Sequence, residues 1–141
     1  MNNKLKTITI LLVEDSKSDA RLIKEFLKGI EFNIVLHTVN DGIKAVDFLY
    51  RHYKYDCPDI MILDLNLPRM SGIEVLKKMK NDPGLKRIPV IILTTSDAQE
   101  DIDECCKNHA DCYLVKPADL SDFETVINSI KEYWFKTVKL P

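Results

Sequence analysis

Charged and hydroxyl side chains follow four short apolar runs of this sequence. The run ITILLV ends at Glu14 and Asp15, and the run IMIL ends at Asp64. Two further runs, PVIIL and CYLV, end at Thr94 and Lys116. Continuous apolar runs of this length are typical of strands that are covered on both faces. If the runs form parallel strands, three carboxylates, a hydroxyl and an ammonium meet at one edge of a sheet.

Such a group of side chains has a specific chemistry. Carboxylates a few ångströms apart repel one another in a partly desolvated site, and a hard divalent cation such as Mg²⁺ or Mn²⁺ relieves this repulsion. Glu14, Asp15 and Asp64 are therefore predicted metal ligands. Asp64 can also attack phosphorus as a nucleophile, as carboxylates do when they form an aspartyl phosphate. Lys116 would neutralise charge on the phosphoryl oxygens, and Thr94 would donate a hydrogen bond to one of them.

The elements that must position these residues alternate along the chain. The predicted strands are residues 8–13, 32–39, 60–63, 89–93 and 112–115. Each is followed by a segment whose apolar residues recur at helical spacing. This alternation requires right-handed crossovers, so it predicts a doubly wound α/β fold with a five-stranded parallel sheet and five helices. In that fold, ligands bind outside the carboxyl ends of the strands.

Helix starts and core-facing helix positions can also be predicted. The start signals are Ser16 with Asp19, one of residues 94–97, and Ser121 with Glu124, while Asp41-Gly42 indicates a turn. The predicted core-facing residues are Ala20, Ile23, Leu27 and Ile30 in the first helix, Ile43, Val46, Leu49 and Tyr50 in the second, Ile73, Leu76 and Met79 in the third, and Phe123, Val126, Ile127, Ile130 and Trp134 in the last. The fourth helix has the least apolar face.

The motifs VEDS, LDLNLPRMSG, ILTTS and YLVKP carry these residues. With them, nearly the whole chain resembles the receiver family of two-component response regulators. The resemblance implies a CheY-like, flavodoxin-like fold that accepts a phosphoryl group from a sensor histidine kinase onto Asp64. Signalling would follow in a phosphorelay, through phosphorylation-dependent contact with another protein. The resemblance also implies that the backbone carbonyl of Asn66 completes the metal site, and that Tyr113 changes rotamer when Thr94 moves.

Two longer segments narrow the resemblance. LKRIPVIILTTS and IKEYWFKTVKLP are similar to the small single-domain regulators of cyanobacterial-type phytochrome histidine kinases. This similarity implies a phytochrome-like kinase as partner, whereas the downstream protein stays unknown. Such a regulator is not an enzyme with a separate substrate, because it catalyses only its own phosphorylation and dephosphorylation. His109 stands where a glycine is common in the family. If that position needs a positive φ, histidine is tolerated there at some cost, and otherwise the loop has a different shape.

Chain length and net charge argue against several other classes of function. A chain of 141 residues has the size of one domain, so a single receiver domain is predicted over residues 1–141, with no output domain. A formal charge of −2 gives no drive toward nucleic acid. No segment approaches the roughly 20 apolar residues of a membrane span, and no signal peptide is visible. A cytoplasmic protein that binds neither membrane nor nucleic acid is expected.

Two alternatives stay open. A dehalogenase-like phosphohydrolase also uses an aspartate nucleophile with Mg²⁺ at parallel strand ends, but that class has a second acid where this chain has Asn66. An adaptor that needs no phosphorylation would use the same fold, although no acceptor or metal residue is missing. Separately, Cys105, Cys106, His109 and Cys112 form the pattern CCxxHxxC. These cysteines and Cys57 are interpreted as reduced thiols. The alternative is a transition-metal site, because Cys105 and His109 would share one face of a helix.

Three adjacent aromatic residues, Tyr133, Trp134 and Phe135, lie near the chain end. They cannot all face one side of a helix, so at least one of them should be exposed. Whether the cluster belongs to the core or to an interface is left open. With Val138 and Leu140 it makes the last segment unusually apolar, and the same surface mediates dimers in receiver relatives. A homodimer through the last helix is therefore expected.

Overall fold

Five strands alternate with five helices in the computed structural model, which describes residues 6–29 and 32–137, with side chains as far as residue 135. The elements are β1 Lys6–Val13, α1 Lys17–Leu27, β2 Phe32–Val39, α2 Gly42–Arg51, β3 Ile60–Leu63, α3 Gly72–Lys80, β4 Val90–Thr94, α4 Gln99–Lys107, β5 Cys112–Val115 and α5 Leu120–Thr137. Three residues with predicted roles, Ile30, Val138 and Leu140, lie outside the described residues.

The strands form one parallel sheet in the order β2-β1-β3-β4-β5. Successive side chains of a strand point to opposite faces, so the sheet has two cores. Ile10 and Ile62 pack on one face with α1 and α5, whereas Leu11 and Leu63 pack on the other face with α2, α3 and α4. This is the predicted doubly wound fold. Within the described residues, no helix is long and apolar enough to cross a membrane.

Helix starts agree with the sequence only in part. Ser16 caps α1 as predicted, because its Oγ accepts a hydrogen bond from the N–H of Asp19 at 3.2 Å. At Asp41 the chain enters a helix rather than a separate turn, and the Asp41 carboxylate accepts from the N–H of Lys44 at 2.7 Å. Short acids are good caps as well as good turn residues, which explains the difference.

The two other predicted helix starts are wrong. At α5, the Asp119 carboxylate accepts from the N–H groups of Ser121 and Asp122 at 2.7 and 3.3 Å, so the helix begins before the predicted capping box. At α4, the N-cap residue is Ala98, which offers no side-chain acceptor. Ser96 Oγ instead accepts from the N–H of Ala98 at 3.3 Å, outside the helix. The cap therefore lies one residue beyond the predicted stretch.

The buried face of α2 also differs from the prediction. Ala45 and Leu49 are buried, whereas Ile43 and Tyr50 are 40% and 51% exposed. Ala45 and Leu49 are four residues apart and share one face, while Ile43 and Tyr50 lie on another. Leu49 thus faces the core as predicted, but the core face continues through Ala45, so that Ile43 and Tyr50 lie on the outer side of the helix.

The C-terminal aromatic residues divide between core and surface. Phe135 is fully buried and packs edge-on against Phe32, with the ring centroids 5.4 Å apart. Trp134 is half-buried, and Tyr133 is 69% exposed. At least one aromatic is thus exposed, as predicted, but Phe135 belongs to the core.

Replacing Phe135 by alanine should therefore lower the free energy of unfolding by about 3 kcal/mol or more, since it removes a large buried ring and leaves a cavity. Tyr133→Ala is the matched control and should change stability by less than about 0.5 kcal/mol. Urea denaturation followed by circular dichroism measures both variants. Equal losses in the two would mean that Phe135 is not part of the core.

Candidate functional site

Backbone hydrogen bonds between neighbouring strands fix the residues at the carboxyl edge of the sheet. The N–H of Asp64 donates to the carbonyl of Val13 at 3.0 Å, which sets the end of β3 against β1. The N–H of Lys116 donates to the carbonyl of Thr94 at 2.7 Å, which sets the end of β5 against β4. The residues after these strands thus leave the sheet at one edge, as predicted.

A single ammonium group occupies the middle of the edge. Lys116 Nζ lies 2.5 Å from Glu14 Oε1, 3.0 Å from Asp64 Oδ2 and 3.0 Å from Asp19 Oδ2. Glu14, Asp64 and Lys116 are all buried, and the Lys116 side chain is only 4% exposed. The structure therefore brings together three of the predicted site residues and adds Asp19 to them.

Burial and charge act on the pKa values of this cluster in opposite directions. Burial is the main reason that the pKa of Glu14 is raised to about 7, and the charge of Asp64 adds to it, while the hydrogen bond from Lys116 opposes the rise. Burial alone would lower the pKa of Lys116, but its hydrogen bonds to Glu14 and Asp19 and the nearby carboxylates raise it. Lys116 is thus a permanent cation beside a carboxyl group whose charge is costly.

The predicted metal ligands differ in their surroundings. Glu14 and Asp64 are buried, whereas Asp15 and Asn66 are exposed at the mouth of the site. The N–H of Asn66 donates to Asp64 Oδ1 at 3.2 Å. Among the residues that the structure describes, no group of three or more acidic, histidine or cysteine side chains is arranged so that it could hold a metal ion. The donor chemistry nevertheless fits a hard cation, since one ammonium leaves two of its three carboxylates uncompensated when all are ionised.

Close packing of the loop after β3 fixes the backbone of Asp64. A Cβ on Gly72 would lie only 2.2 Å from the carbonyl oxygen of Asp64, and the N–H of Gly72 donates to the carbonyl of Leu65 at 3.0 Å. No larger residue fits at the start of α3 without moving the backbone at Asp64. The glycine of the LNLPRMSG segment therefore positions the carboxylate.

The hydroxyl of Thr94 is linked to Tyr113 through one residue. Thr94 is fully buried, and its Oγ1 accepts a long hydrogen bond, 3.4 Å, from the N–H of Ser96. The hydroxyl of Tyr113 donates to the carbonyl of Ser96 at 2.8 Å. Ser96 Oγ donates in turn to Asp101 on α4 at 2.6 Å. A movement of the Thr94 hydroxyl can therefore reach Tyr113 through the backbone of Ser96 and α4 through the Ser96 side chain.

Asp19 was not among the predicted site residues. Its position in the sequence indicated only the start of α1, where its N–H does donate to Ser16 Oγ. One signal could have indicated its position: α1 begins directly after the acids that end β1, so the first turn of α1 must lie at the same edge. An acid in that turn is then within reach of an ammonium at the end of β5.

The CCxxHxxC pattern does not form a shared helix face. Helix α4 ends at Lys107, so His109 lies beyond it, with a φ of 65° in the left-handed region that favours glycine. Cys105 is buried and Cys106 is exposed. Burial, with a smaller effect from Asp101 and Glu104, raises the pKa of the Cys105 thiol to about 11, so that this thiol stays protonated.

Comparison with known proteins agrees with this geometry. The sequence model of the response regulator receiver domain matches residues 10–128. The chain belongs to the response regulator receiver family. The response regulator Rcp1 of Synechocystis sp. is 43% identical over 135 residues, which cover 94% of this chain and 92% of the relative. This family membership favours a receiver over a dehalogenase-like phosphohydrolase.

Two solved receiver structures have the same fold. The Mn²⁺-bound form of Rcp1 is 42% identical, with a TM-score of 0.88, and the match covers 95% of this chain and 99% of that one. The phosphorylated cyanobacterial phytochrome response regulator RcpA is 41% identical, with a TM-score of 0.86, and the match covers 96% of this chain and 99% of that one. This receiver is thus homologous to stand-alone response regulators over nearly its whole length.

Proposed function

We propose that this receiver accepts a phosphoryl group onto Asp64 from a sensor histidine kinase, and signals by phosphorylation-dependent contact with another protein. The observation that carries the proposal is the contact of the Lys116 ammonium with both Glu14 and Asp64 at the carboxyl edge of the sheet. An acceptor carboxylate needs this arrangement, because a cation beside it stabilises the charge of the incoming group. The phosphorylated state of the homologue RcpA supports the same chemistry.

In the proposed reaction, an oxygen of Asp64 forms a bond to phosphorus, and the bond from phosphorus to the donor breaks. The donor leaves with that electron pair, which gives a histidine side chain if the donor is the kinase, or acetate if it is acetyl phosphate. Lys116 stays protonated and donates hydrogen bonds to the phosphoryl oxygens. Catalysis is then positioning and electrostatic stabilisation, and the chain acts only on itself.

A divalent cation, Mg²⁺ or Mn²⁺, would be held by Glu14, Asp15, Asp64 and the backbone carbonyl of Asn66. All four groups offer the hard oxygen atoms that such ions prefer. When bound, the cation would neutralise charge on the acceptor and on the phosphoryl oxygens. The Mn²⁺-bound form of the homologue Rcp1 supports a divalent metal in this receiver. Asp15 and Asn66 are exposed, so the cation can enter from solvent.

The phosphoryl group would be sensed by Thr94 and Tyr113. We propose that the Thr94 hydroxyl donates to a phosphoryl oxygen and gives up its hydrogen bond with the Ser96 N–H. The segment after β4 would then shift, together with the Tyr113 hydroxyl that donates to the Ser96 carbonyl. This shift changes the surface near α4 and β5 that another protein can bind.

The relatives support a phytochrome-like kinase as the phosphoryl donor, because RcpA is a phytochrome response regulator. We further propose that residues 1–141 form one receiver domain, and that this cytoplasmic protein acts through protein contacts rather than on nucleic acid or membrane. An adaptor that needs no phosphorylation would keep the fold without keeping the acids and the lysine together.

Phosphoryl uptake by the wild-type chain tests this function. Incubation with acetyl phosphate and Mg²⁺ should add one phosphoryl group to the intact mass, because Asp64 is the proposed sole acceptor. Excess EDTA should abolish the gain, since removing the cation leaves the carboxylates to repel the incoming anion. A gain that is unchanged in EDTA would exclude the metal-dependent mechanism.

We also propose a homodimer through α5 and β5. In the described sheet β5 is an edge strand, and next to it lies a cavity of about 410 Å³ with exposed Tyr133 and half-buried Trp134 in its lining. Exposed aromatic rings beside an open strand edge are typical of interfaces. Because Phe135 belongs to the core, a substitution of Tyr133 tests this surface better than a truncation of the helix does.

The variant Tyr133→Lys should weaken the dimer at least about ten-fold, since it places a charge in an aromatic contact. Tyr55→Lys is the control, because Tyr55 is 79% exposed on the loop before β3. Sedimentation equilibrium with and without acetyl phosphate measures both, and phosphorylation should tighten the wild-type dimer. A wild-type chain that stays monomeric at high micromolar concentration in both conditions would contradict the proposal.

A further inference from the structure

Asp19, in the first turn of α1, contacts the ammonium of Lys116 at 3.0 Å. We propose that Asp19 is a positioning residue, which holds Lys116 at the acceptor after a cation has engaged Glu14 and Asp64. This inference rests on the proposed function, because it assigns a role within the same site. It differs from a structural role of Asp19 in α1, since Asp19 would act through Lys116 alone.

Helix α1 holds Asp19 in a fixed position. Its backbone N–H bonds to Ser16 Oγ at 3.2 Å, and its Oδ2 lies 3.0 Å from Lys116 Nζ. Helix α1 is anchored by buried Ile23 and Leu27, which pack in the same core as α5. The Asp19 carboxylate therefore stays in place, while the long Lys116 side chain needs a partner to be ordered.

The charges of the site explain why Lys116 needs Asp19 as a third carboxylate partner. One ammonium is shared among Glu14, Asp64 and Asp19. A divalent cation on Glu14 and Asp64 would compensate their charge and would repel the nearby ammonium. Asp19 is not among the proposed metal ligands, so its attraction for Lys116 remains. The ammonium is then kept where the phosphoryl oxygens arrive.

A cavity lies next to the contact between Asp19 and Lys116. Asp19 and Lys116 both line a cavity of about 260 Å³, together with Thr95 and Pro117. The Asp19 side chain is 28% exposed, against 4% for Lys116. Without Asp19, the ammonium would have room to turn into this cavity and away from Asp64. A neutral residue of the same shape at position 19 should therefore free Lys116 without disturbing the fold.

A double-mutant cycle tests the role. In the presence of Mg²⁺ and acetyl phosphate, Asp19→Asn should slow phosphoryl uptake roughly ten-fold, since it removes one charge-assisted hydrogen bond. In a Lys116→Met background, adding Asp19→Asn should change the rate by less than about two-fold, because the group that Asp19 positions is already gone. A ten-fold loss in both backgrounds, or no loss in either, would overturn the inference.

Asp122→Asn is the matched control for a helix-start effect. Asp122 is an acid in the first turn of α5, it is exposed, and no ion pair of Lys116 involves it. Both substitutions remove a carboxylate that favours a helix N-terminus. Asp122→Asn should leave the rate unchanged. A loss equal to that of Asp19→Asn would mean that helix stability, and not Lys116, explains the effect.

A spectroscopic measurement keeps the inference testable even if no phosphorylation occurs. The ¹H–¹⁵N signals of lysine ammonium groups persist only where the group is held by partners. With Mg²⁺ added, the Lys116 signal, assigned by its loss in Lys116→Met, should remain in the wild type and disappear in Asp19→Asn. If it remains in both, Asp19 does not hold Lys116. Failure of the proposed function is a separate result, in which the wild type gains no phosphoryl group.

Discussion

Lys116→Met should slow phosphoryl uptake from acetyl phosphate by roughly a hundred-fold, without removing the acceptor. The substitution keeps most of the aliphatic side chain and deletes the ammonium that contacts Asp64 at 3.0 Å. Removing one preorganised donor from a site of developing charge typically costs a factor of this size. The rate is measured by intact mass against time at saturating Mg²⁺, with thermal unfolding as the check that the variant is folded.

Unlike Lys116→Met, Thr94→Ala should largely keep phosphoryl uptake but lose the response to the phosphoryl group. Its hydroxyl is buried and bonds only weakly to the N–H of Ser96 before phosphorylation, so the rate of uptake should change by less than about ten-fold. The response to the phosphoryl group should be lost, because the bond made to the product is missing. Dimer affinity with and without acetyl phosphate measures this response. Equal uptake by Thr94→Ala and Lys116→Met, with an unchanged dimer response in both, would refute the division of roles.

Asp64→Asn should abolish phosphoryl uptake, which is the largest effect of any single substitution. Asparagine keeps the shape of the side chain but lacks the anionic oxygen that attacks phosphorus. Asp97→Asn is the matched control, since Asp97 is an exposed acid just after β4 and should leave uptake unchanged. If Asp64→Asn still gains the phosphoryl mass at the wild-type rate, another residue is the acceptor.

The sheet, and the site at its carboxyl edge, could be predicted from sequence because parallel strands bring their carboxyl ends together. Buried on both faces, β1, β3 and β4 appear as continuous apolar runs, and the residue that follows each run lies at the edge. Lys116 follows the short run of β5 in the same way, so Glu14, Asp64 and Lys116 meet, as the order of the runs predicted. This argument needs only strand direction and strand ends, which sequence patterns define well.

The features that were missed depend on helix rotation and on competing caps. Asp19 could be assigned to a capping position, but its contact with Lys116 depends on how α1 is turned against the sheet. In α2, the packing of Ala45 turns Ile43 and Tyr50 outward, which hydrophobicity alone does not indicate. At α5, Asp119 and Ser121 are both good caps, and the sequence does not show which is used. Tertiary packing decides each of these cases.

The central claim, that Asp64 carries the phosphoryl group, is tested most directly by chemical trapping. Borohydride reduces an acyl phosphate to the alcohol, so a phosphorylated aspartate becomes homoserine and can be located by peptide mass. After treatment with acetyl phosphate and Mg²⁺, homoserine is expected at position 64, and none is expected when EDTA replaces the cation. Homoserine at position 15 or 19, hydroxynorvaline from a reduced Glu14, or a phosphoryl group that resists borohydride, would contradict it.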